Sequence, residues 1–390
     1  RMSCYMGYAI VMTVAVYPVF AYWAWSTSGW LSPFNADSST RIGNGLIDFA
    51  GCGVVHLTGG LTSLIGAYFV GPRKGRFVTS EDGVVRVIEY TLNSESLRSV
   101  GVFTLWFGWY FFNGGTVFSL DKSLDGLPAI AARVAVNTTL SACSCSLSSI
   151  VAVMMVRARK GDPIWYQGQN RDVSSVTNGV LAGLVSITAS CSVVESWAAV
   201  IIGAFGSLVW LGSSKLLQQL QIDDAVDAVP VHLACGIWGL LAAAIFAEEK
   251  LVEEIYGYTD SKGLIYGGDG MYLITALLFI VCSICWNSAM MLPFFTFCDK
   301  MGLMKYSDKE IEDMLGVKSH GNIYDMVAMR GVEEHGGGAD GEKKRSDLLD
   351  IKNNQDPHGR DQAVIHNGSD SLNSSLRAGD GSAYTAPFAE

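Results

Sequence analysis

The chain has 390 residues, of which 49% are apolar and only 16% charged, and its formal net charge is −10. Apolar runs of membrane-spanning length recur up to about residue 300. A run of about 18 or more apolar residues reads as a transmembrane helix, so a soluble globular enzyme is excluded. Nucleic-acid binding is excluded as well, because no basic stripe is present to neutralise phosphates.

Eight apolar segments are predicted, at about 6–25, 49–70, 97–119, 128–156, 174–192, 196–220, 227–247 and 270–299. The stretches between them, such as SGWLSPFNADSS, GPRKGRF and ARKGDPIW, have turn chemistry. Basic residues set the orientation. Arg73, Lys74 and Arg76 follow the second segment, Arg157, Arg159 and Lys160 the fourth, Lys215 the sixth, and Lys300 and Lys305 the eighth. The alternate loops are acidic, above all AEEKLVEEIYG at Ala247–Gly257 and LDKSLDG at Leu120–Gly126. This alternation puts the even-numbered exits and the tail in the cytosol, and the loop from Ser26 to Ile47 outside. Most of the nine cysteines (Cys4, Cys52, Cys143, Cys145, Cys235, Cys282, Cys285) lie in apolar runs, where free Cys acts as a small hydrophobe. Cys282 and Cys285 form a CxxC that reads as helix packing rather than a redox or metal pair.

The second and seventh segments resemble each other. VVHLTGGLTSLIGAYF (Val54–Phe69) and PVHLACGIWGLLAAAIF (Pro230–Phe246) align on His56 and His232. They share Val, His and Leu, then a Gly four residues on, a Leu eight on and an Ala eleven on. Each has an aspartate near its start, read here as Asp48 and Asp227. The two segments are five spans apart and so cross the membrane in opposite senses, the signature of an inverted-repeat transporter with its site near the midplane. The second copy shows five spans ending at its His helix and the first only two, so three helices are expected before Arg1. The opening RMSCYMGYAI, with no initiator Met, fits that expectation of a fragment.

Histidine is the sharpest chemical signal. Of six, only His56 and His232 lie in the membrane part, both in a VHL context. Polar residues at membrane depth are costly and usually functional. Brought together by the repeat axis, two neutral imidazoles can pass a small hydrogen-bonding solute along a narrow pore or share a proton. Asp48 opens a Gly-rich helix, IDFAGCGVVH, and reads first as a cap for free N–H groups. The same charge makes an outer mouth favourable for a cation. Gly45, Gly51, Gly53, Gly59 and Gly60 read as close helix packing. The aromatic clusters YWAWSTSGW (Tyr22–Trp30) and WFGWYFFNGGT (Trp106–Thr116) have two readings. One is an interfacial belt. The other is a cation–π cup, worth about 1–2 kcal/mol when desolvated, with Thr116 as hydroxyl acceptor.

These motifs, together with ITASCSVVESWAA and DDAVDAVPVHLACGIWGLLAAAIFA, resemble the ammonium transporter (Amt/Mep/Rh) superfamily, in its plant and algal Amt-like branch, from about residue 6 to 325. The resemblance implies an all-α polytopic membrane protein, its eight transmembrane helices being the fourth to eleventh of an eleven-helix inverted-repeat fold. It also implies a homotrimer, formed through membrane helices and the C-terminal region, with one pore per subunit and no cofactor, metal or enzymatic activity. By the same resemblance Trp25 and Thr116 recruit ammonium, Phe112 is the lower gate phenylalanine and Trp109 a pore-wall residue. His56 and His232 are the twin pore histidines, and Asp48 is the acid needed for conduction, with Asp227 as the acid of the other half. Phe111 stands where the family has a Gly, adding bulk beside the gate, and Tyr22 where a His is often found. The implied function is ammonium transport across the plasma membrane, with ammonia conducted after deprotonation and net charge moved. An electroneutral Rh-like ammonia channel and an ammonium receptor signalling through the tail are the alternatives within the fold. Axial haem ligation by the two histidines is the alternative outside it.

The expected organisation is a transporter domain over 1–300, a cytosolic C-terminal regulatory region over 301–331 and a disordered tail over 332–390. Lys318 stands where plant members carry a regulatory Thr, with Ser319 beside it. Asn137, Asn367 and Asn373 match the glycosylation pattern, but one lies in a span and the others in a cytosolic tail, so none is expected to be modified.

Overall fold

The computed structural model describes residues 1–79, 83–88, 90, 94–120, 126–159, 171–307 and 309–311. The expectations for Lys318, Ser319, Asn367, Asn373 and the rest of the tail therefore fall outside the described residues.

Eight long helices occupy the eight predicted segments. They are α1 (Met2–Trp25), α2 (Cys52–Val70), α3 (Glu95–Gly115), α4 (Leu127–Arg159), α5 (Arg171–Ile187), α6 (Ser196–Gln219), α7 (Val229–Phe246) and, after the short α8 (Glu249–Tyr256), α9 (Met271–Lys300). Six of these are long and apolar enough to cross a membrane, and α3 and α5 complete the set. Ser94 starts α3 by accepting the Leu97 N–H at 3.1 Å, and Glu248 starts α8 by accepting that of Leu251 at 2.9 Å, both ordinary side-chain caps. The large exposed apolar side chains, among them Val14, Phe103 and Phe107, suit a lipid-facing surface.

Contacts between loops group the helix ends as the alternation requires. At one end Arg73 pairs with Asp223 at 2.7 Å, and Lys305 donates to the Val70 carbonyl at 3.3 Å. At the other, Tyr258 donates to the Pro33 carbonyl at 2.6 Å and Tyr266 to Glu195 at 2.8 Å.

Two details differ from the sequence reading. The loop after α2 carries a small antiparallel pair, Phe77–Thr79 with Val85–Val87, so the chain is not wholly helical. Also, α5 stops at Ile187 instead of about 192, and residues 188–195 run as buried turns. Irregular backbone at this depth persists only when protein groups satisfy it. Phe49 and Ala50 N–H groups donate to the Ala189 and Thr188 carbonyls. Asn137 Nδ2 donates to the Cys191 and Val194 carbonyls at 3.0 and 2.8 Å. Arg133 Nε donates to the Ser192 carbonyl at 3.0 Å. Asn137, fully buried, is thus a structural ligand of this turn.

Candidate functional site

The two histidines meet because α2 and α7 cross at glycine. A Cβ on Gly60 would lie 2.2 Å from the Leu233 backbone nitrogen, and one on Gly236 would lie 3.0 Å from that of Leu57. Each glycine stands four residues after its own histidine and abuts the backbone beside the other. This reciprocal contact is what a pseudo-two-fold axis produces. Both helices also open with a π-type turn, Cys52–Leu57 and Val229–Ala234, and each carries its histidine there. Such widened turns are frequent at functional sites.

His56 Nδ1 lies 3.2 Å from His232 Nδ1, and the rings meet edge to edge, nearly parallel at 11° with centroids 5.2 Å apart. One Nδ1 must donate and the other accept, so the two rings hold opposite tautomers. The pair therefore offers a solute one bare Nε2 acceptor and one Nε2–H donor. His56 Nε2 is buried with no protein partner among the described residues. Trp109 lies flat on His56, 4.9 Å away at 7°, and Phe112 sits 5.6 Å from the same ring at 47°. Trp109 is fixed by donating its indole N–H to Thr188 Oγ1 at 3.0 Å. Phe111, by contrast, is 67% exposed and packs edge-on against Phe107 at 5.2 Å. Its bulk points away from the histidines.

Asp48 is buried at the head of α2. Its Oδ2 accepts the N–H groups of Gly53 and Val54 at 3.0 and 2.9 Å, while Oδ1 has no partner among the described residues. Gly51 makes the turn between them at φ +98°, where a Cβ would strike Val55 at 2.7 Å. Trp25 packs over that glycine and donates its indole N–H to the Asp48 carbonyl at 2.8 Å. Trp25 and Asp48 are thus one unit. Thr116 donates to the Phe112 carbonyl at 3.0 Å, which leaves its oxygen free to accept. Among the described residues no hydrogen bond or ring contact joins Thr116 to Trp25.

The other half shows what the sequence reading missed. Asp224 stands eight residues before His232, as Asp48 does before His56, and accepts the Val229 N–H at 2.6 Å. The residue matching Asp227 is Gly51, five before its histidine, and Asp227 shares its left-handed backbone at φ +57°. Asp227 is instead held by Asn178 Nδ2 at 2.9 Å and Ser214 Oγ at 3.1 Å, and Arg98 in turn donates to Asn178 Oδ1 at 3.0 Å. The repeated eight-residue spacing was the signal that would have found Asp224. Thr188, which joins Trp109 to the Asp48 loop, had no such signal.

Comparison with known proteins decides the family. The family model described as Ammonium Transporter Family matches residues 1–323. The chain belongs to that family. It is 39% identical over 326 residues to Ammonium transporter 1 member 1 of Arabidopsis thaliana, covering 82% of this chain and 62% of the relative. To Ammonium transporter 1 member 1 of Oryza sativa subsp. japonica it is 38% identical over 325 residues, covering 82% and 62%. Among solved structures, Candida albicans Mep2 superposes with a TM-score of 0.63 at 26% identity, covering 80% of this chain and 61% of that one. A chain named "Sensor Amt Protein" gives 0.61 at 29% identity, covering 80% and 68%. The chain thus spans about 62% of the length of the curated relatives quoted.

Proposed function

We propose that the protein transports ammonium, and that the hydrogen-bonded His56–His232 pair walled by Trp109 and Phe112 is its conduction site. That pair, with Nδ1 atoms 3.2 Å apart, carries the proposal. Ammonium has K⁺-like size, so selection needs cation–π contact and hydrogen-bond acceptors as well as charge. In this reading the outer end, built from Trp25, the Asp48 charge and the Thr116 hydroxyl, recruits the ion. Moving it intact through an apolar pore is costly. It therefore loses a proton outside the gate, and ammonia passes Phe112 and travels along the donor and acceptor edges of the histidines. The proton crosses separately and rejoins inside, giving net charge movement.

The same reading takes 1–300 as the transport unit, 301–331 as a cytosolic regulatory region and 332–390 as a tail, in a homotrimer in the plasma membrane. An ammonium pulse on proteoliposomes, against an equal potassium pulse, tests it. An ammonium-selective current that His56→Ala removes is expected; equal currents for the two ions overturn it. A second reading, an ammonium receptor, draws on the likeness to the chain named "Sensor Amt Protein". Ligand-dependent movement of the C-terminal region without flux would favour that reading.

A further inference from the structure

Away from the pore, sulfur gathers at one point of the fold. Cys4, in the first turn of α1, donates its thiol to Met304 Sδ at 3.4 Å and also interacts with the thiol of Cys298, in the last turn of α9. The three residues are only 8%, 3% and 5% exposed for Cys4, Cys298 and Met304. The chain is folded back after α9 by the Leu303 N–H donating to the Cys298 carbonyl at 2.8 Å, with Gly302 taking the left-handed turn at φ +65°. Arg1 closes the same junction. Its guanidinium forks onto Glu310 at 2.6 Å and lies 4.6 Å from the Tyr306 ring centroid. Two thiols and a thioether thus converge where the first helix meets the segment that follows the last one.

The donor set narrows the ligand. Among the described residues no group of three His, Cys, Asp or Glu is placed to hold a metal, so the three sulfurs have neither the further His or Cys that a zinc site needs nor the oxygen ligands of a calcium or magnesium site. Soft thiolate and thioether ligands select Cu(I) and ions like it. We propose that Cys4, Cys298 and Met304 form a binding site for a soft monovalent metal ion of the Cu(I) class, which fastens α1 to the start of the C-terminal region. One thiol gives its proton to water as its sulfur bonds the metal, M⁺ + RSH → M–SR + H⁺, while the second thiol and the thioether bind as neutral donors. The bound cluster is then uncharged, as a buried site requires.

The test is an anaerobic Cu(I) titration of the purified full chain in detergent against a chromophoric Cu(I) chelator. Cys143, Cys282 and Cys285 are replaced by Ala so that the more accessible thiols do not contribute. One Cu(I) per chain is expected, with a sulfur-only first shell by X-ray absorption and an affinity falling tenfold for each pH unit lowered. Cys4→Ser and Cys298→Ser should each lose it, and Met304→Leu, which keeps the packing, should weaken it at least tenfold. Thermal melts of the variants identify any that fail to fold, and Met304→Leu then decides. No stoichiometric copper, or copper held equally by all the folded variants, overturns the proposal.

Discussion

The two histidine-bearing halves share a backbone and differ in charge. In both, an aspartate eight residues before the histidine caps the helix, and the residue five before it adopts positive φ. The same residue's carbonyl accepts the N–H just ahead of each histidine, Val55 in one half and Val231 in the other. The differences sit on that common frame. Val54 gives Asp48 a second N–H, whereas Pro230 at the matching place has none to give. The left-handed position is Gly51 in one half and Asp227 in the other, where the carboxylate is occupied by Asn178 and Ser214. Around Asp227 and Asp223 the structure places Arg98, Arg73 and Arg76, but Asp48 keeps one buried oxygen with no partner among the described residues. Symmetry therefore sets the crossing that joins the histidines. Asymmetry leaves Asp48 with one unpartnered buried oxygen, whereas the other loop holds Arg73 and Arg76 on the neighbouring Asp223.

The largest expected effect comes from breaking the shared element. His56→Ala removes half of the hydrogen-bonded pair and should abolish the ammonium-selective current in proteoliposomes; an unchanged current and selectivity would reject this pore. Next is the crossing itself. Gly60→Ala puts a methyl 2.2 Å from backbone that cannot swing aside, so the overpacking cost should reach or exceed about 1–3 kcal/mol. Gly236→Ala, with 3.0 Å available, should cost less, and thermal melts in detergent give the order. If the two melt alike, the reciprocal crossing is not limiting.

A sharper probe of the asymmetry is to neutralise each cap. Asp48→Asn keeps acceptor oxygen for the caps but removes the unpaired charge, and should lower ammonium current far more than Asp224→Asn, whatever their similar effects on melting. Equal losses of current would mean that both carboxylates act only as caps. Trp109→Phe keeps the stacking on His56 and loses the bond to Thr188, a change of about 1 kcal/mol in stability with conduction largely retained.

The smallest effect belongs to the Arg73–Asp223 clamp. Burial pushes the Asp223 carboxyl up, but the Arg73 side chain and N–H and the charges of Arg73 and Arg76 outweigh it and leave the carboxyl below its ordinary value. A lowered carboxyl contributes stability above its unfolded value and loses it as pH falls through the folded one. The clamp should therefore hold through neutral and mildly acid conditions and release only below about pH 4. Arg73 is 44% exposed, so Asp223→Asn should cost about 1 kcal/mol or less at neutral pH. Melting curves of Asp223→Asn and the unaltered protein should converge under acid; a gap that persists there would contradict the assignment.

Much of this was legible in the sequence. Hydropathy gave all eight helices, because membrane spans advertise themselves by length. The VHL repeat picked out His56 and His232, and the shared Gly four residues on foretold their close crossing. Phe111 was expected to add bulk beside the gate, although its true direction was in the sequence, since Trp109, Phe112 and Thr116 recur at helical spacing on one face and Phe107 and Phe111 on another. What escaped depends on backbone groups far apart in sequence. The end of α5 at Ile187 is set by Asn137, Arg133 and the Asp48 loop, and the Trp25–Asp48 bond uses a carbonyl that every residue has. Asp227 was paired with Asp48 because both precede a histidine; counting the interval, rather than the residue type, points to Asp224.

The most direct test of the central claim is the current evoked by equal ammonium and potassium pulses on proteoliposomes, recorded for the whole protein and for His56→Ala side by side. An ammonium-selective current is expected in the first and none in the second. Equal responses to the two ions, or a selective current that survives without His56, would contradict it.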